Sequence, residues 1–105
     1  MKLPLIVDDH GDISIFATID AAILYLEPID IQRHEFEFFD ADGYRVDAIL
    51  TTGMIIRLSL RKPPIQEARV LADKLKGFLG RCGRFVETCE LSDLVRQAEV
   101  LAKTV

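Results

Sequence analysis

This chain is short of several things, and each shortage excludes a class. It has only two cysteines, Cys82 and Cys89, with six residues between them. That is neither the disulfide framework of a small secreted domain nor the close C-x₂₋₄-C knuckle of structural zinc. No apolar run approaches the ~20 residues that a membrane-spanning helix needs. The opening stretch MKLPLIVDDHGD loses its apolar character at Asp8, too early for the h-region of a secretory signal, and no small-residue cleavage site follows. These absences lead us to expect a cytoplasmic chain with its start intact. Gly-x-Ser-x-Gly, phosphate-binding glycine loops and His-Glu-x-x-His are missing too. No catalytic residue, cofactor or metal is therefore expected.

What is present suits one globular domain spanning residues 1–105. Half of the residues are apolar and 29% are charged, enough for a single core and too short a chain for two domains. The net charge of −4 is unevenly spread. Residues 1–50 carry eleven acids and three bases, whereas residues 51–105 carry six acids and ten bases. An acidic half repels nucleic acid and attracts a basic protein surface.

Three short segments share a glycine in third place: Asp9-His10-Gly11, Ala41-Asp42-Gly43 and Thr51-Thr52-Gly53. Each lies between strand-like runs, and each suits a three-residue hairpin loop whose last residue is left-handed. On that reading Leu5 and Val7 oppose Ile15 and Ile13, Phe38 opposes Val46, and Phe36 opposes Ala48. Across the last loop Leu50 opposes Met54, Ala48 opposes Ile56 and Val46 opposes Leu58. One face of the meander is then apolar. The other carries Glu35, Glu37, Arg45, Asp47, Arg57 and Ser59, with an Asp47–Arg57 pair offsetting the repulsion between Glu37 and Asp47.

Helices fill the remainder. Thr18 is placed to cap a helix that runs through Leu26 and stops before Pro28. A second helix begins near Pro64 with the stripe Ile65, Ala68, Leu71, Ala72, Leu75, Phe78 and Leu79, ending near Gly80. The last has Leu91, Leu94, Val95, Ala98, Leu101 and Ala102 at helical spacing. The expected fold is α+β: a mostly antiparallel five-stranded sheet in the order β-β-α-β-β-β-α-α, with its helices on one face.

Candidate chemistry is sparse. Asp40 and Asp42 crowd the stretch FDADGY, but the ligand spacing of a calcium loop is absent, and aspartates routinely stabilise tight turns. Cys82 lies between Arg81 and Arg84, which would favour its thiolate and leaves open a small enzyme using Cys82 or surface carboxylates. Glu35 and Glu37 share one side of a strand and suit an exposed charged face. The bases Arg57, Arg61, Lys62, Arg69, Lys74, Lys76, Arg81 and Arg84 lack a stacking aromatic, so a solvated helix face is expected rather than a nucleic-acid site. Phe39, Ile49 and Ile55 interrupt the charged sheet face and could serve a self-associating, homodimeric domain.

One stretch carries a family likeness. Gly11-Asp12, Ala21-Ala22, Tyr25-Leu26-Glu27-Pro28, Asp30 and Phe39-Asp40-Ala41-Asp42-Gly43 follow one another within residues 10–46. In this third of the chain the sequence resembles a group of small bacterial proteins similar to immunity partners of bacterial toxin systems. The resemblance implies a non-enzymatic domain that occludes a toxin's surface. For a basic toxin domain, the acidic half points to Glu27, Asp30, Glu35, Glu37 and Asp47 as contacts, with Tyr25 as an aromatic anchor. Core packing behind its helix is the competing role for Tyr25.

Overall fold

The computed structural model describes residues 1–102. Its sheet begins with a hairpin of β1 (Leu5–Asp9) and β2 (Asp12–Phe16). The loop between them is His10-Gly11 alone, one residue shorter than the sequence suggests. Both residues have positive φ, 51° and 99°, which matches the right-handed twist of the flanking strands. The shorter loop slips the register by one: Leu5 lies opposite Phe16, Ile6 opposite Ile15, and Asp8 opposite Ile13. Leu5 and Val7 therefore face away from Ile13 and Ile15, and both faces of the hairpin are apolar.

The second loop is as expected. β3 (Glu37–Phe39) and β4 (Arg45–Thr51) place Phe38 opposite Val46. Asp40 makes the turn: its Oδ1 accepts from the Asp42 and Tyr44 N–H groups at 2.9 and 3.0 Å, and its Oδ2 from Lys2 N–H at 3.1 Å. The acidic knot in FDADGY is thus a buried turn in which both oxygens of one carboxylate serve the backbone. Because β3 begins only at Glu37, Phe36 does not pair with Ala48.

The third loop is Thr52-Gly53-Met54, one residue later than expected, because Met54 itself takes a left-handed φ of 62°. Strand β5 (Ile55–Leu60) then sets Leu50 opposite Ile56, Ala48 opposite Leu58 and Val46 opposite Leu60. Each partner moves by two residues, so every side chain keeps its face. The expected Asp47–Arg57 pair does not form. Asp47 lies opposite Ser59, and Arg61 reaches it instead, Nε to Oδ1 at 2.9 Å.

The five strands form one antiparallel sheet in the order β2-β1-β3-β4-β5. α1 (Ile19–Tyr25) is capped by Thr18, whose Oγ1 accepts from Ala21 N–H at 3.1 Å. Pro28 does not merely end that helix; it starts another, α2 (Pro28–Gln32), at the position where proline's missing N–H costs nothing. α3 (Ala68–Arg81) begins four residues after Pro64. The intervening chain is tied to the sheet, with Ile65 C=O accepting from Arg45 N–H and Glu67 N–H donating to Gly43 C=O, both at 2.8 Å. Ile65 accordingly lies outside the helix and is exposed. α4 (Leu91–Leu101) closes the described chain, burying Leu94, Val95 and Ala98.

The α+β class and the antiparallel five-stranded sheet match the expectation, but the helices do not gather on one face. α3 and α4 cover Ile6, Ile13, Ile15 and Phe39 with Leu71, Leu75, Leu79 and Leu94. α1 and α2 cover Leu5, Val7, Phe16 and Phe38 with Ala22, Leu26 and Ile31. The two-residue loop explains this division, since it gives β1 and β2 an apolar set on each side. Neither helix layer reaches the outer face of the β4–β5 ribbon, where Ile49 and Ile55 stand exposed. No helix among the described residues is long and apolar enough to cross a membrane.

Candidate protein-interaction surface

The six acidic and aromatic residues singled out in the sequence separate into two groups. Glu35, Glu37 and Asp47, with Asp30 at the margin, surround a charged trough. Tyr25 and Glu27 lie with Asp30 at the corner between α1 and α2.

The trough has two parts that share His34 and Glu37. One, of about 330 Å³, is bounded by Asp8, Glu35, Glu37, Lys74 and Arg81. The other, of about 350 Å³, is bounded by Asp30, Glu37, Asp47, Ile49 and Arg61. Its charges are largely spent within the molecule. Asp8 is buried, its Oδ1 accepting from Gly11 N–H at 2.8 Å and its Oδ2 from Lys74 Nζ at 2.7 Å. Lys74 also reaches Glu37 at 3.4 Å, while Arg45 donates to Glu37 at 2.6 Å.

These contacts set the protonation of the pair. The hydrogen bond from Arg45 holds the Glu37 carboxyl below the ordinary glutamate range; burial opposes this and the Lys74 charge adds to it. The hydrogen bond to Asp8 raises Lys74 above the ordinary lysine value against the opposing effect of burial. Arg45 is the organising cation. Its guanidinium stands 4.7 Å from the centroid of the Phe39 ring, and its buried Nε lies 3.6 Å from Glu67, near enough for charge attraction but too far for a hydrogen bond. Glu37 and Asp47 are therefore fixed members of internal ion pairs. Glu35 has a longer contact, 3.6 Å to His10 Nε2.

The α1–α2 corner differs. Glu27 and Asp30 have no ion pair among the described residues, and residues 11–32 contain four acids and no lysine or arginine. Tyr25 packs its ring 5.2 Å from that of Phe16, while the residue is 45% exposed. In the same segment Leu24 is 83% exposed and Ile29 47% exposed. Sequence reasoning missed these two. The signal for Leu24 was available, since the inward stripe of α1 is Ile19, Ala22, Ile23 and Leu26 and leaves Leu24 outside. Ile29 needed α2 to be recognised first.

The remaining candidates are dispersed. Phe39, expected on an exposed patch, is fully buried beneath α3 and α4, while Ile49 and Ile55 are exposed as expected. Cys82 closes α3 by donating its backbone N–H to Phe78 and Leu79, and its thiol faces outward. Cys89 is exposed as well and accepts from Lys76 at 3.3 Å. Of the bases, Arg61 and Lys74 are held in ion pairs and Arg81 donates to the Gly11 carbonyl. With this geometry in view, no protein-family model matches the chain, and neither a curated protein nor a solved structure matches it.

Proposed function

We propose that this chain is a non-enzymatic protein-binding domain that docks a basic partner through the α1–α2 corner, and that it acts as an immunity protein occluding the surface of a bacterial toxin. One observation carries the reading: Leu24, Tyr25 and Ile29 are all exposed within the α1–α2 segment, and Glu27 and Asp30 of the same segment form no ion pair among the described residues. An apolar centre with a charged rim is the composition of a specific interface. Unpaired acids contribute most to the rate of capture, because they steer a basic partner before contact. Glu37 and Asp47 contribute less, being already engaged with Arg45 and Arg61.

The immunity role rests on the sequence resemblance within residues 10–46 and on the fit between occlusion and this corner. Co-expression with the product of the adjacent gene tests it. The expected outcome is that the chain restores growth to cells producing that product, and that a Leu24→Asp/Tyr25→Ala variant does not. Failure of the unmodified chain to bind the product or restore growth would exclude the immunity role.

A further inference from the structure

We propose that β5 is a self-association edge: it pairs antiparallel with β5 of a second copy of this chain, centred on Leu58, and joins the two sheets into one. β5 is the last strand of the sheet, and its outer side pairs with no strand among the described residues. The pairing with β4 determines which groups are free. Arg61 N–H donates to Arg45 C=O at 3.0 Å, so the pairs Asp47–Ser59, Ile49–Arg57 and Thr51–Ile55, in the same phase, carry the β4–β5 bonds. The N–H and C=O groups of Ile56, Leu58 and Leu60 therefore point to the open side. No other backbone group among the described residues bonds to them.

The usual devices that protect such an edge are missing from Ile55–Leu60: it has no proline and no bulge, and Arg57 is its one charge. Alongside it runs a groove of about 540 Å³ whose lining mixes Ile19, Ile23, Ile56 and Leu58 with Thr51 and Arg57.

The side-chain order is self-complementary, which suits a second copy, and it selects one register. Centring on Leu58 sets Leu58 against Leu58, Ile56 against Leu60 and Arg57 against Ser59. About six main-chain hydrogen bonds then form, two at the centre and two at each flanking pair. Centring one residue earlier would oppose Arg57 to itself, and one residue later would oppose Arg57 to Arg61; like charges directly opposite are unfavourable. In the favoured register Arg61 faces Ile55, and its charge is already held by Asp47. The apolar inner row then continues across the junction, covering the half-buried Leu58 and Leu60.

Sedimentation equilibrium over roughly 1 μM to 1 mM tests the pairing, combined with amide exchange. The expected result is a monomer–dimer equilibrium. Exchange at Ile56, Leu58 and Leu60 should slow with concentration, while Arg57 and Ser59, bonded to β4, should not change. Ser59→Arg is exposed in the monomer and should weaken the dimer at least about tenfold by opposing Arg57. A monomer throughout the range would overturn the proposal, as would a dimer with unchanged exchange at the three edge amides or one insensitive to Ser59→Arg. A monomer would leave the edge to an extended segment of another protein.

Discussion

At the scale of single residues, buried Asp40, half-buried Lys74 and exposed Glu37 each tie separate segments together. Asp40 accepts three backbone N–H groups, one from the N-terminal segment and two from its own turn. Asp40→Ala leaves those donors in a buried place without partners, and should cost about 1–3 kcal/mol in urea unfolding. The ion pairs predict a pH dependence of opposite sign at the two ends of the scale. Glu37 is depressed in the folded chain, so its contribution is present above the ordinary value of 4.5 and is lost as pH falls through the folded value. Glu37→Gln should remove that acid-side loss. Lys74 is raised, so its contribution is complete below 10.5 and is lost as pH rises through the folded value. Lys74→Met should be less stable at neutral pH, because Asp8 loses its cation, and should show a flatter alkaline limb in stability-versus-pH measurements.

At the scale of elements, what could be read from the sequence depended on loops. Phe38 against Val46 followed from the Ala41-Asp42-Gly43 loop because glycine is the residue with positive φ there. His10 and Met54 also take positive φ, and nothing in their side chains announces it. Each moved a hairpin register: by one residue at His10, which sends apolar side chains to both faces, and by two at Met54, which preserves the faces. α2 was missed because Pro28 reads equally as a stop and as a first helical residue. The core stripes of α3 and α4 were legible, since 3.6-residue periodicity does not depend on loop geometry. The glycines make the same point testably. A Cβ on Gly43 would sit 2.6 Å from the Ala68 Cα at a φ of +87°, whereas one on Gly53 would meet nothing within 4 Å. Gly43→Ala should therefore lower the thermal midpoint far more than Gly53→Ala, since the latter carries only the left-handed strain of about 1–2 kcal/mol.

At the scale of the whole molecule, helices cover both faces of the sheet at β1–β3 and leave the outer face of the β4–β5 ribbon open. Apolar, unpaired surface remains on the open side of β5 with the adjoining ribbon face and at the α1–α2 corner, and Phe85 and Val100 are exposed elsewhere. The acidic half of the sequence was visible from composition, but the division of its charges was not. Glu37 and Asp47 are neutralised by Arg45 and Arg61, from the fourth strand and the end of the fifth. Long-range pairing of this kind leaves Glu27 and Asp30, rather than Glu37 and Asp47, without an ion pair among the described residues. The most direct test is calorimetric titration of the purified chain into the product of its adjacent gene, at low and at moderate salt. Binding should weaken with salt and fall at least about tenfold on Glu27→Lys/Asp30→Lys, with little change on Glu37→Gln. Binding that is indifferent to the corner substitutions and lost on Glu37→Gln, or no binding at all, would contradict the proposed function.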